Sequence, residues 1–234
     1  MATRSSAIAL FLLGAAVFAQ AGSLAISPVR VDLSETKPNS IVQVTNAGDD
    51  PITVQVHAAS WKTEGAEDSY LDTNDVVANP PVFTLAAGQK QIIRLGLRSR
   101  EPIEIERSYR LFLEEVPKPP KPGTIGTVLR ISLPIFQVPR RPVAPILIWQ
   151  AGFTDDGALR LSVQNDGSAH DRIKELEIEV GAERIPSSIS AYVLPGGRRD
   201  FVIRDERLRG ATHIGLETVT DAGKRHEELT ARPN

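Results

Sequence analysis

Two arginines sit where a long cation is not expected. Arg30, in Ile26-Ser-Pro-Val-Arg-Val, and Arg110, in Tyr109-Arg-Leu-Phe-Leu, each interrupt an apolar run. Alternation alone would turn such a residue to the wet face of a half-buried strand. The sharper chemistry is anchorage of a carboxylate, because a guanidinium offers a fixed fork of donors to two oxygens. Other candidate chemistry is thin. His57, His170, His213 and His226 show no i,i+4 pair and no HExxH, so the helical two-histidine metal pattern is missing. There is no G-x-S-x-G elbow. Gly123-Thr-Ile-Gly126 precedes a strand pattern rather than a helix, so it supplies no amide cradle for a phosphate. Glu114-Glu115 and Glu227-Glu228 are adjacent acids, but neighbours on a strand point to opposite faces, which makes solvated pairs of them rather than acid–base partners. Nothing in these residues argues for an enzyme.

The elements that must position the arginines read as strands. Thr127 to Pro142 alternates, with Leu129, Ile131 and Leu133 on one face and Val128, Arg130 and Ser132 on the other. Pro134 lies inside this run, which argues for an edge strand or a bulge, and a long apolar edge is a hazard that proteins normally cover. Upstream, Ser27–Ser34 alternates Val29, Val31 and Leu33 against Arg30 and Asp32. Ile41–Thr45 stops at the turn cluster Asn46-Ala-Gly-Asp-Asp-Pro, and Ile52–His57 continues towards Trp61. Pro80–Leu85, Gln91–Leu97 and Tyr109–Val116 complete about seven short strands without a long helix, the pattern of an immunoglobulin-type β-sandwich. Lys118-Pro-Pro-Lys-Pro-Gly reads as an exposed connection between two strands.

Arg140-Arg-Pro-Val-Ala-Pro is stiff and near mid-chain, and marks a domain boundary: 22–141 before it, 142–234 after it. Beyond it, Leu159–Val163, Ile173–Val180, Asp200–Arg204 and His213–Glu217 supply a second, smaller β-domain. Asp155-Asp-Gly and Asn165-Asp-Gly read as its hairpin turns. The fold class is therefore all-β with two sandwich domains.

Residues 1–21 are expected to leave. Arg4 is a short positive region, Ile8–Phe18 an apolar core too short to span a bilayer, and Ala19-Gln20-Ala21 an A-x-A cleavage site. The product is expected to be exported, with no membrane insertion. Without Arg4 the mature chain carries 26 basic against 29 acidic residues, a net −3, which gives no support for nucleic-acid binding. There is no cysteine, so neither disulfides nor thiolate metal sites hold the fold.

The order and spacing of several fragments resemble the periplasmic chaperones of the chaperone–usher pathway. They are Ile26-Ser-Pro-Val-Arg-Val, Asn79-Pro-Pro-Val-Phe-Thr-Leu-Ala-Ala-Gly-Gln, Ile92-Ile-Arg-Leu and Tyr109-Arg-Leu-Phe-Leu-Glu-Glu-Val-Pro. They continue with the alternating strand ending Ile135-Phe-Gln-Val-Pro-Arg-Arg-Pro, and Tyr192-Val-Leu-Pro-Gly-Gly. The resemblance implies two immunoglobulin-like domains in an L or boomerang with a cleft between them, and location in the periplasm. It implies partners of two kinds, pilus subunits (pilins) and an outer-membrane usher, with no cofactor. It also explains an apolar edge: the alternating strand is lent to a subunit whose sandwich lacks a strand, by β-strand addition. The lent side chains would be Ile125, Thr127, Leu129, Ile131 and Leu133. In the family two basic residues hold the subunit's terminal carboxylate. Arg30 matches the first. The position of the second, usually lysine, is Pro134, and Arg110 on the neighbouring strand is the preferred substitute. Arg130 fits less well, its parity opposing that of the lent residues. This departure suggests a non-classical branch. The competing reading is an exported two-domain adhesion or carbohydrate-binding protein on the same fold, although Trp61 and Trp149 are the only tryptophans for sugar stacking.

Overall fold

The structure is a computed structural model that describes residues 24–65, 67–117 and 128–232. The expected leader, the Lys118–Gly123 connection, Ile125 and Thr127 lie outside the described residues. The first half of the chain forms strands β1 (Leu24–Ser27), β2 (Val31–Leu33), β3 (Asn39–Asn46), β4 (Ile52–Glu64), β5 (Glu67–Asp72), β6 (Val76–Asn79), β7 (Val82–Leu85), β8 (Lys90–Leu97), β9 (Arg107–Glu115) and β10 (Arg130–Gln137). They build two sheets, ordered β1-β3-β8-β6 and β2-β10-β9-β4-β5, with β7 also paired to β4. Alternate residues of both sheets meet in one core that includes Val42, Val44, Val54, Ile93, Leu111 and Ile135, as period-2 patterning requires.

The second half forms β11 (Leu147–Phe153), β12 (Leu159–Asn165), β13 (Asp171–Val180), β14 (Glu183–Ser187), β15 (Ala191–Val193), β16 (Arg198–Ile203), β17 (His213–Thr220) and β18 (Gly223–Arg232), with one 3-10 turn at Glu206–Leu208. These make one continuous sheet, β14-β13-β17-β18-β11-β12-β16, with β15 on β13. Its two arms meet through a short parallel pairing of β11 with β18 at Ala151–Ala231. Residues from both arms, among them Leu159, Leu161, Ile173, Ile178 and Leu216, share a second core.

Two sequence expectations are corrected. Ser27–Ser34 is not one strand. β1 pairs with β3 in the first sheet and β2 pairs with β10 in the second, with a bend at residues 28–30 between them. The chain changes sheets there, so Val29 is left 68 % exposed and Arg30 sits at the bend rather than within a strand. Asn165-Asp-Gly is not a hairpin either, since β12 pairs with β11 and β16 while β13 pairs with β14, β15 and β17. It is a tight crossing: a Cβ on Gly167 would lie 2.3 Å from Ala144 O. Buried Asn165 secures it, donating to Ala169 O and Val193 O and accepting from the N–H groups of Ile146 and Gly167. Asn46 plays the matching part in the first domain, donating to Asp50 O and Leu85 O and accepting from Gly48 N–H. Asp155-Asp-Gly does close the β11–β12 hairpin, with Gly157 at φ 79°, a left-handed conformation that glycine adopts freely.

Candidate functional site

β10 pairs with β9 over its whole length, from Arg130–Glu114 to Gln137–Arg107, but with β2 only at Ile135, Phe136 and Gln137. From Arg130 to Pro134 its other side has no strand partner among the described residues. Glu115 N–H donates to Leu129 O at 2.8 Å. Antiparallel pairs alternate between bonded and non-bonded, so Ile131 and Leu133 direct their backbone groups to β9. Arg130, Ser132 and Pro134 direct theirs to the open side. The donor that proline lacks therefore falls on the edge and costs the β9 ladder nothing.

Side-chain parity divides the sheet. Val31, Leu33, Tyr109, Leu111, Leu113, Leu133 and Ile135 belong to the first-domain core, and Ile131 packs against it. Of the expected lent residues, Leu133 is thus only 5 % exposed, while Ile131 and Leu129 are half-buried. The opposite face carries Pro134, Phe136, Arg110, Ala59, Trp61 and Tyr70, and it looks towards the second domain. Arg110 is the direct partner of Pro134 across β9–β10. Arg30 stands one residue before Val31, the partner of Ile135 across β2–β10. The two arginines therefore flank Pro134 on either side, with backbones separated by about 10 Å, two interstrand spacings.

Their surroundings differ. Opposite Arg110 on β4 is Ala59, a small residue that leaves room for the guanidinium to lie over the Trp61 ring, 3.7 Å from its centroid. Tyr192 of the second domain is 5.7 Å away. Burial pushes the Arg110 guanidinium below its ordinary pKa, while Tyr70, Asp68 and Tyr192 pull it back up. Among the described residues no carboxylate lies within ion-pair distance of it, and its Nε is buried without a hydrogen-bond partner. Trp61 Nε1 and Ser108 Oγ on the same sheet are also buried and unpartnered. Such orphaned donors in a native site call for an explanation. Arg30, by contrast, donates from Nε to Asp32 Oδ1 at 3.0 Å and lies 3.6 Å from Asp221 Oδ2 of the second domain. Its guanidinium sits 5.0 Å over the Phe136 ring. Arg130 is engaged elsewhere, paired with Glu114 at 2.7 Å and lying over Phe112.

Beneath the arginines the domains are joined by residues that a linear reading passes over. Phe136, Trp61 and Leu194 form a third buried cluster, with Tyr192 and Val138 against it. The His170 ring stacks on Phe136 at 3.6 Å. Its Nδ1 lies 2.6 Å from Glu106 Oε1, which also accepts the backbone N–H of His170, and both side chains are buried. Arg199 of β16 pairs with Asp68 of β5. The one signal within the sequence was parity: Phe136 shares the face of Pro134. The contacts of His170 and Tyr192 are long-range and had no local signal. The second domain also brings Glu179, Glu217 and His226 ligand atoms within 4.8 Å of one another. Each already has a counter-charge, in Arg184, Lys224 and Glu228.

The sequence profile described as pili and flagellar-assembly chaperone, PapD N-terminal domain, matches residues 23–142. The chain belongs to this chaperone family. Its fold is similar to that of a chain in the CsuC–CsuE chaperone–tip adhesion subunit pre-assembly complex from archaic chaperone-usher Csu pili of Acinetobacter baumannii. That match has 21% identity, covers 90% of this chain and 99% of that one, and has a TM-score of 0.70. It is also similar to the YadV chaperone (20% identity, 88% and 99% covered, TM-score 0.63). A third match is the Salmonella enterica SafA pilin–SafB chaperone complex (19% identity, 89% and 97% covered, TM-score 0.60). No curated protein sequence matches significantly. Among the described residues no helix is long and apolar enough to cross a membrane. In this pilus-assembly chaperone Arg110 shares a sheet with the first half of β10, and Arg30 stands at the bend that leads into β2 of that sheet.

Proposed function

We propose that this chaperone captures pilus subunits in the periplasm by donating the Arg130–Pro134 edge of β10 to a subunit's incomplete sandwich, and passes them to an outer-membrane usher. Residues 22–141 are the capturing domain and 142–234 the second. The observation that carries the reading is the juxtaposition of a β10 edge unpaired among the described residues with two arginines flanking Pro134. The edge supplies main-chain bonds, with Leu129 and Ile131 (and Ile125 and Thr127, outside the described residues) giving apolar contact along the groove, while Leu133, expected among the lent residues, is turned into the chaperone's own core and is only 5 % exposed. Arg30 and Arg110 hold the terminal carboxylate, which a pair of guanidinium forks grips more rigidly than a lysine amine. No cofactor takes part, because completing the subunit's core supplies the free energy.

The test is a binding cycle with a pilus subunit that co-purifies from the periplasm on co-expression. Arg30→Ala and Arg110→Ala should each weaken binding tenfold or more, since a charge-assisted hydrogen bond is worth about 1.5–3 kcal/mol. The double variant should fall short of additivity, and deleting the subunit's terminal carboxylate should abolish both effects. An Arg110→Ala protein that binds like wild type would remove Arg110 from the anchor. Strict additivity would do the same.

A further inference from the structure

The two proposed anchors differ in one respect that bears on how a subunit is held and let go. Arg110 has no carboxylate partner among the described residues, whereas Arg30 already has two. One of them comes from the other domain. Asp221 stands in the β17–β18 turn, which is tied to the start of β13. The Asp221 N–H donates to Arg172 O at 3.1 Å, and the Ala222 N–H donates to Asp171 Oδ1 at 3.2 Å and to Thr220 Oγ1 at 3.1 Å. The turn thus holds the Asp221 carboxylate in place, with Oδ2 3.6 Å from Arg30 Nη1. Its other oxygen is 2.8 Å from Lys174 Nζ.

We propose that Asp221 is a resident stand-in for the subunit's terminal carboxylate: it occupies Arg30 in the free chaperone, yields it on capture, and reclaims it on release. The inference rests on the reading of Arg30 as a carboxylate anchor. Three features fit an exchangeable contact rather than a structural one. The Arg30 and Asp221 side chains are 36 % and 34 % exposed, so water remains to screen the pair and hold its strength low. The 3.6 Å separation is that of an ion pair without a tight hydrogen bond. Lys174 stays with Asp221 when Arg30 leaves, so the exchange strands no lone charge. An incoming carboxylate then meets Arg110 unpaired and takes Arg30 from Asp221. Because Asp221 belongs to the second domain, occupancy of the anchor is linked to the contact between domains.

The experiment uses the mature full-length chain and acetate as the carboxylate probe, with acetamide as the uncharged control, at constant ionic strength. Acetate affinity is read from the side-chain Nε–H signals of Arg30 and Arg110 by NMR, assigned with Arg→Lys variants. Asp221→Asn should bind acetate about two- to fivefold more tightly at Arg30, the range for a partly exposed ion pair removed from competition. Glu206→Gln, the same charge change on an exposed carboxylate that pairs with Arg209, should leave affinity unchanged, and acetamide should move neither signal. Equal acetate affinity in wild type and Asp221→Asn, with Arg30 still responding, would overturn the stand-in while leaving the anchor reading intact. An equal gain in Glu206→Gln would overturn it as well, reducing the effect to overall charge. No acetate response at either arginine in any variant would sink the anchor reading and the stand-in with it.

Discussion

The two halves of β10 share one strand and one partner, β9, yet are built for opposite ends. From Ile135 to Gln137 the strand is bonded on both sides, by β9 and β2. Phe136 is fully buried there under His170, Trp61 and Tyr192. From Arg130 to Pro134 β9 is its one strand neighbour among the described residues. The changeover falls at Pro134, where an absent N–H limits what a further strand can bond. The difference teaches how a chaperone of this family can carry an open edge without losing its fold: the second half fixes the strand's position so that the first half can be left incomplete. If so, damage to the second half should cost more stability than damage to the first half, where the larger loss should be in binding.

The largest effect is expected at Phe136. Phe136→Ala removes a ring that packs against both domains and carries the Arg30 guanidinium above it. A fully buried phenylalanine cut to alanine typically costs about 3–5 kcal/mol. Urea unfolding should show that loss, together with separation of the two domains' transitions. A loss under about 1 kcal/mol would break the comparison, because the clamped half would not then be holding the strand.

Next in size is an alkaline effect at Tyr109, the β9 partner of Ile135. Its hydroxyl donates to Asp75 Oδ2 at 3.0 Å and to Gln137 Oε1 at 3.4 Å. Burial foremost, and then the Asp75 charge, push its pKa up to about 12. The folded value is raised above the unfolded one, so its contribution is intact below about pH 10 and is lost as pH rises through about 12. Two units correspond to about 2–3 kcal/mol. Tyr109→Phe should flatten that part of the stability–pH curve, and equal slopes in the two proteins would dismiss the phenol as its source.

In the open half the expected cost is smaller. Ile131 is half-buried and packs against the first-domain core, so Ile131→Ala should cost about 1–2 kcal/mol in urea unfolding, below the 2–5 kcal/mol typical of a fully buried isoleucine. A loss as large as that of Phe136→Ala would mean that the open half is no freer than the clamped one.

Legibility in the sequence followed the range of the interactions involved. Strands β3, β4, β8 and β9 were evident from alternation, and the β9–β10 neighbourhood from the tendency of consecutive strands to pair. That put Arg110 on the strand next to that of Pro134, while the register that makes the two direct partners is seen only in the structure. The bend at residues 28–30 was not legible, because Val29, Val31 and Leu33 keep the alternation while the chain changes sheets. Asn165-Asp-Gly misled for a related reason: the same dipeptide chemistry serves a hairpin and a crossing, and only the approach of Ala144 to Gly167 distinguishes them. The cluster of Phe136, His170, Trp61 and Tyr192 had no local signature at all. His170 read as an ordinary histidine because its partner, Glu106, is 64 positions away.

The smallest expected effect on stability is also the most discriminating. Leu129 precedes β10, is half-buried, and is not part of the first-domain core. Among the described residues its backbone is held by Glu115: its carbonyl accepts the Glu115 N–H, and its N–H donates to Glu115 Oε2 at 3.2 Å. Neither bond involves the leucine side chain. Leu129→Asp should therefore shift the unfolding midpoint by no more than about 0.5 kcal/mol, the range of substitutions away from a core. Binding to a pilus subunit should nevertheless fall by tenfold or more. The introduced carboxylate would have to enter an apolar groove, at a cost of several kcal/mol if it stays unpaired. Ile131→Asp is a poorer probe, because Ile131 belongs partly to the chaperone and partly to the proposed partner, and its loss would mix both effects. Equilibrium unfolding and subunit binding of Leu129→Asp, measured on the same preparation, separate the two. A folded variant that still captures the subunit would show that the lent surface begins after Leu129. An unfolded one would place Leu129 in the chaperone's own core and erase the distinction between the halves of the strand.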